Sequence, residues 1–127
     1  DLDHFKPVND ACGHAVGDSL LIAAAERMRE CLRESNTLAR IGGDEFVVLS
    51  EHLEVADATQ FAERTAQRMI AAMADPVVFD GNALQTGASI GIAVAGSPQD
   101  ADTLIAAADR ALYAAKAAGR NAWRRAD

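Results

Sequence analysis

Apolar positions along this chain follow two rhythms. From 18 to 33, Leu20, Leu21, Ala24, Met28, Cys31 and Leu32 return at helical spacing and predict a helix with Asp18 as its N-cap. Phe5 to Ala11 fits one short helix with Pro7 in its first turn, and Gly13 and Gly17 bracket the turn that follows. Val55 to Ala74 reads as a second long helix, with Ala58, Phe61, Ala62, Thr65, Met69 and Met73 on one face and Pro76 as its stop. Asp102 to Ala118 reads as a third. Leu104, Ile105, Ala108, Ala111, Leu112 and Ala115 form its stripe, and Gly119 ends it.

The other rhythm is shorter. Thr37 to Ile41 and Glu45 to Ser50 are rich in β-formers, and Gly42-Gly43-Asp44 between them predicts a hairpin. Pro76 to Phe79 and Leu84 to Val94 predict a second strand pair turning at Asp80-Gly81-Asn82. In its long arm Ile90, Ile92 and Val94 alternate with Ser89, Gly91 and Ala93, so a helix is expected to pack closely on the small-residue side. Asn121 to Arg125 is read as a last edge strand. The order predicts an α/β (α+β) sandwich: one mostly antiparallel sheet with helices packed against it. No internal repeat or linker interrupts it.

Composition narrows this picture. The 127 residues, half of them hydrophobic, suit one domain with one core. A net charge of −7 removes any general attraction for nucleic acid or an anionic membrane surface. A polyanionic ligand would need a metal or a few placed cations. Cys12 and Cys31 lack metal-ligand spacing and read as reduced thiols, partly buried on helices, in an intracellular protein. No apolar run approaches the ~18 residues of a membrane span, and no signal peptide is visible. The abrupt opening on Asp1-Leu2-Asp3, without methionine, suggests a domain excised from a longer chain.

Four places could carry chemistry. The hairpin turn is explained by turn chemistry alone, yet its glycines would also let a ligand approach the backbone, with Asp44 and Glu45 beside it. Asp1-Leu2-Asp3 could be a solvated acid pair. If Asp1 ends a strand beside the hairpin, Asp1 and Asp44 could instead hold Mg²⁺ against a nucleotide's phosphates. The stretch HFKPVNDACGHAVGD, 4–18, contains residues with ordinary surface and helix-end roles. It also assembles Lys6, Asn9, His14 and Asp18, a cation, an amide and a carboxylate suited to phosphate and a guanine edge. Lys116 and Arg120 could complement the dipole of the last helix, or serve as phosphate clamps.

Taken together, DLDHFKPVNDACGHAVGD (1–18), ARIGGDEFVVL (39–49), SIGIAV (89–94) and ADRALYAAKAAGRN (108–121) strongly resemble the GGDEF domain, the diguanylate cyclase family. The resemblance covers the chain from end to end. It implies a nucleotidyl-cyclase palm with the signature β-hairpin at the active site, and a single domain, 1–127, lacking the family's N-terminal helices and most of its first strand. It also implies condensation of two GTP into cyclic di-GMP and two pyrophosphates, each domain of a homodimer holding one GTP, with Mg²⁺ or Mn²⁺. In that reading Asp1, Leu2 (through its carbonyl), Asp44 and Glu45 serve the metal. Asp44 or Glu45 helps deprotonate the attacking hydroxyl, and Lys6 stabilises charge during transfer. The His4, Phe5 and Lys6 amides cradle phosphates, Asn9 and Asp18 read guanine, and His14 lies beside the nucleotide. Gly42 and Gly43 leave it room, and Lys116 and Arg120 contact distal phosphates.

A cytoplasmic location follows from the same resemblance, in this domain or as part of a membrane-anchored protein. So do an upstream sensor or a downstream phosphodiesterase domain, and the absence of nucleic-acid or direct membrane contact. Two other readings stay open: a catalytically silent GTP-binding module that tunes a neighbouring cyclic di-GMP phosphodiesterase, and a pure dimerising interaction domain. The closing GRNAWRRAD would suit the first of these as a lead into the next domain.

One departure matters. Many members carry an inhibitory product site, Arg-x-x-Asp, just before the signature. Here Arg33 matches, but Asn36 replaces the acid and loses the charge that would bind guanine N–H groups strongly. Product inhibition is therefore expected to be weak or absent. Initial-rate assays with added cyclic di-GMP check this, and inhibition at low micromolar product would contradict it.

Overall fold

A computed structural model describes residues 1–51 and 54–127. The chain runs β1 (Leu2–Asp3), α1 (Phe5–Cys12), α2 (His14–Glu30), β2 (Thr37–Gly42), β3 (Glu45–Leu49) and α3 (Val55–Met73). It continues through β4 (Val77–Phe79), β5 (Asn82–Leu84), β6 (Gly87–Ala88), β7 (Ile90–Ile92), α4 (Ala101–Ala117) and β8 (Trp123–Arg125). The mostly antiparallel sheet is present as two-stranded ladders. β1 pairs with β6, β2 with β3 and β4 with β5, all antiparallel, while β7 pairs with β8 in parallel. Further backbone bonds tie ladders together. The Leu2 N–H donates to the Asp44 carbonyl at 3.1 Å, and the Ser89 N–H donates to the Asp1 carbonyl at 2.9 Å.

Strand alternation sorts the layers. Leu2, Ala88 and Ile90 join Leu21, Ala24, Met28, Met69 and Met73 in the main core, so α2 and α3 cover one side. Gly91 faces the other way: an added Cβ would stand 2.0 Å from the Ala108 carbonyl oxygen and 2.5 Å from the Leu112 nitrogen of α4. The helix expected on the small-residue side is therefore α4. A second cluster, Leu20, Val77 and Leu84, packs under α1 and the β4–β5 hairpin, and Phe5 touches both clusters. Arg27 of α2 donates to the Ala72, Asp75 and Pro76 carbonyls, satisfying backbone acceptors where α3 ends.

Several boundaries differ from expectation, each for a local reason. The helix predicted to begin at Asp18 begins at His14, so Asp18 is not its N-cap; Gly13, at φ 91°, holds that place. Gly17 lies inside the helix rather than at the end of a turn. The Asn9 Oδ1 of α1 stands 2.1 Å from where a Gly17 Cβ would be, so the missing side chain lets α1 and α2 meet. The same helix ends at Glu30, before Arg33, and the Arg33 N–H donates to the Asn36 side chain in the turn that follows. The long arm 84–94 is three short strands because it changes partner along its length, from β4 to β1 to β8. α4 begins at Ala101 with Asp100 as N-cap. The Thr103 N–H and hydroxyl both donate to the Asp100 carboxylate, and the backbone bond chiefly lowers its pKa. Of the thiols expected to be partly buried, Cys12 is exposed, while burial raises the pKa of Cys31; both are free.

Replacing Gly91 with alanine forces a methyl into the α4 backbone, which cannot swing aside as a side chain could. A loss of roughly 1–3 kcal/mol in urea-unfolding stability is expected. Full stability in Gly91→Ala would show that α4 sits farther from β7 than the close approach requires.

Candidate active site at the Asp1 strand end and the glycine hairpin

The site grows from the alternation Asp1-Leu2-Asp3. Leu2 enters the core, and its acidic neighbours turn toward α4. Asp3 is 4% exposed, and its carboxylate accepts from the Ser89 hydroxyl at 2.6 Å and from the Asn121 N–H at 2.8 Å. Its carbonyl accepts from the Thr86 hydroxyl at 3.1 Å. Those bonds bind β1 to the segment after α4 and so bring the end of α4 to the strand. Arg120 and Asn121 hold positive φ angles of 64° and 47° there. Such angles persist only where surrounding contacts enforce them, and the Asp3–Asn121 bond is one such contact.

Lys116, in the last turn of α4, forms an ion pair with Asp1 Oδ2. The Asp1 side chain is 7% exposed, and its other oxygen, Oδ1, is buried with no hydrogen-bond partner among the described residues. The Leu2 bond to the Asp44 carbonyl sets the hairpin beside this strand end, so Asp1, Asp44 and Glu45 share one neighbourhood with Lys116.

The hairpin turns at Gly42-Gly43-Asp44. Gly43 has φ 49°, which suits a glycine in the turn, and the Arg40 side chain donates to its carbonyl at 2.8 Å. A Cβ built on Gly42 or Gly43 meets nothing within 4 Å. The outer face of the turn is thus open, beside a half-buried Asp44 and an exposed Glu45.

On the other flank, His4 caps α1 with a left-handed φ of 61°. Lys6 is exposed, whereas Phe5 is half-buried between the two core clusters. The Asn9 amide meets His14 Nδ1 at 3.4 Å and packs on Gly17, the neighbour of exposed Asp18. The structure thus gathers Asn9, His14 and the first turns of α2 at Gly17 and Asp18, and separately Asp1, Lys116 and the hairpin. Arg120 is exposed. Arg33 stacks 4.9 Å above the Phe61 ring, and the Asn36 amide is engaged, donating to the Ser50 hydroxyl at 2.9 Å.

The sequence reading offered Asp3 only as half of a solvated acid pair, which its burial and its bonds to Ser89 and Asn121 overturn; it gave Asn121 no site role and took Ser89 only as a small packing residue. One signal was available: an acid two positions after Asp1 shares its strand face and so turns toward the same layer.

A cavity of about 420 Å³ lies between β3, β7, α3 and α4, with Asp1 and Glu45 among its lining residues. Its other walls include Phe46, Phe61, Met69 and Leu112. No lysine or arginine lines it, so a triphosphate finds no counter-charge there. The polar face of the site is the outer one, at the glycine turn and α1. Among the described residues, no three His, Cys, Asp or Glu side chains already converge on a position that could hold an ion.

Comparison with known proteins agrees with this geometry. The family model described as "Diguanylate cyclase, GGDEF domain" matches residues 1–122, and the chain belongs to that family. The bifunctional diguanylate cyclase/cyclic di-GMP phosphodiesterase MucR of Pseudomonas aeruginosa is 47% identical over 97% of this chain and 18% of its own length. The diguanylate cyclase TpbB of Pseudomonas aeruginosa strain PAO1 is 45% identical over 100% of this chain and 29% of its own length. The chain thus spans less than a third of either relative. The crystal structure of the GGDEF domain of PA1120 (YfiN or TpbB) superposes with a TM-score of 0.88 at 41% identity, covering 100% of this chain and 78% of that one. Among the described residues no helix is long and apolar enough to cross a membrane.

Asp3→Ala would strand a buried hydroxyl and a backbone N–H. A loss of about 2–3 kcal/mol in unfolding free energy is expected, read by urea denaturation. A change below roughly 0.5 kcal/mol, the range of an ordinary surface substitution, would remove Asp3 from its organising role.

Proposed function

We propose that this domain is an active diguanylate cyclase, condensing two GTP into cyclic di-GMP and two pyrophosphates across a homodimer. The observation that carries the reading is the Asp1 carboxylate. It is buried, with one oxygen on Lys116 and the other unpartnered, beside the acidic and sterically open glycine turn. Burying a carboxylate is costly without compensation, so an oxygen left without a partner is suited to an ion.

The donor types fit a hard divalent cation, Mg²⁺ or Mn²⁺. Such an ion needs only one or two protein carboxylates, with phosphates and water completing its shell, which agrees with the lack of a ready side-chain cage. Asp1 and Asp44 would hold it, with the Leu2 carbonyl and Glu45 as further oxygens. When bound, it would neutralise phosphate charge and polarise the α-phosphate.

The chain's own residues supply the rest. The left-handed His4 turn leads into α1, where the amides of His4, Phe5 and Lys6 would receive phosphate oxygens. The exposed Lys6 ammonium would offset charge in the transition state. Asn9 and Asp18 would read the guanine edge, with His14 beside it. Gly42 and Gly43 leave the space a nucleotide needs, and Lys116 and Arg120 would bind the distal phosphates. Asp44 or Glu45 would accept the proton of the attacking 3′-hydroxyl. Each hydroxyl attacks the α-phosphate held by the opposite domain, so one domain alone completes no turnover.

A second reading rests on NbdA of Pseudomonas aeruginosa, 42% identical to this chain and named a cyclic di-GMP phosphodiesterase alone, of which this chain spans 15%. A domain of this kind could bind GTP and tune its neighbour without catalysis. One experiment separates the two. The full-length protein is incubated with GTP and Mg²⁺ beside Asp44→Ala, and products are read by chromatography. Cyclic di-GMP from the wild type, reduced on the order of 10²-fold or more in Asp44→Ala, is expected. Mg²⁺-dependent GTP binding without product would favour the regulatory module.

A further inference from the structure

The Asp1–Lys116 pair presents a conflict of charge. The Asp1 side chain is buried, and Lys116 already occupies one of its oxygens while the other has no partner among the described residues. A divalent ion drawn to Asp1 would therefore meet an ammonium in its place. Two cations on one buried carboxylate repel each other strongly, because a poorly hydrated setting weakens screening.

Lys116 is built to leave. Its side chain is 36% exposed, against 7% for Asp1, so the pair is open to solvent on the lysine side. Lysine carries a compact charge on a flexible four-carbon stem, and here the stem is anchored in the last turn of α4. Swinging outward moves the charge away from the strand end without moving the helix. Among the described residues nothing bonds Asp1 Oδ1 to hold the pair closed.

We propose that Lys116 is an exchangeable counter-ion. It neutralises Asp1 while the domain is empty, is displaced when a divalent cation takes that carboxylate, and then offers its ammonium to the nucleotide's phosphates. The proposal rests on the metal–GTP reading above and adds an order to it. Without nucleotide, Lys116 and the metal compete for Asp1; with nucleotide, they act on the same side. Lys116 is thus a positioning residue for Asp1 before it is a phosphate ligand.

The test uses the full-length protein, with Mn²⁺ as the probe. Free Mn²⁺ is measured by its electron paramagnetic resonance signal, with and without GTP, for wild type, Lys116→Met and Lys116→Arg. Thermal unfolding without metal and with metal runs alongside. Lys116→Met is expected to bind Mn²⁺ at least 5-fold tighter than wild type when no nucleotide is present, a gain of about 1 kcal/mol by RT ln 5. Its metal-free melting temperature should fall, and Mn²⁺ should raise that temperature more than it does in wild type. With GTP present the order should reverse, the variant holding Mn²⁺–GTP more weakly. Lys116→Arg, which keeps a cation, should restore the weaker nucleotide-free Mn²⁺ binding.

A merely structural lysine would give the opposite of the first result, because a damaged site does not gain affinity. Unchanged or weaker nucleotide-free Mn²⁺ binding in Lys116→Met, with turnover of the wild type intact, would overturn the exchange and leave the cyclase reading standing. Absence of Mn²⁺ binding in every form, even with GTP, would overturn both.

Discussion

The Asp3 carboxylate is buried in a two-residue strand and accepts from Ser89 and from the backbone of Asn121. β1 is too short to be held by its ladder alone, since it pairs only through Leu2 with Ala88 and Asp3 with Gly87. A buried carboxylate that lost these donors would cost far more than it contributes, so the two donors and the acid constrain each other. The consequence reaches beyond the strand. Asn121 follows α4 closely, and fixing its N–H fixes where the last turn of α4 ends. Lys116 therefore meets Asp1 because Asp3 has been satisfied two residues away.

Two close approaches set the layers around that strand end. Gly91 lets α4 lie against β7 on one side, and Gly17 lets Asn9 of α1 press into α2 on the other. In both, the absent side chain is replaced by a neighbour rather than by empty space. The hairpin uses its glycines differently, because nothing occupies the volume above Gly42 and Gly43. The contrast separates packing glycines from the pair whose outer face is open to a ligand. It also separates the apolar cavity inside the fold, which lacks cations, from the polar surface at the turn.

Charge is distributed with similar economy. The chain carries a net −7, yet Lys116 is held on Asp1 beside the hairpin acids, while Lys6 and Arg120 stay exposed. An acidic protein that handles a polyanion cannot rely on a general field. It needs cations placed at specific atoms, and such cations must themselves be held when the polyanion is absent. The pairing of Lys116 with Asp1 is a hold of that kind, at the strand end beside the hairpin.

Much of this was legible without coordinates. Helical spacing in 55–74 and 102–118 located α3 and α4 to within a residue at each end, because long amphipathic periods leave little choice of face. The glycine pair located the hairpin, and the motif residues pointed to the family. Local rules failed where a contact from elsewhere decided. Gly17 looked like a turn residue but lies in α2, where its missing side chain admits Asn9; the arm 84–94 looked like one strand and is three because its partners change. The sequence by itself determined the elements, the acidic balance and the types of side chain available for phosphate and metal. Only the tertiary structure decided that Asp3 would be an internal tie, that Asp1 would be buried with one oxygen unpartnered, and that Lys116 would stand on it. Periodicity reports which face of an element is apolar, whereas a buried charge takes its partner from residues more than a hundred positions away, a distance no local pattern spans.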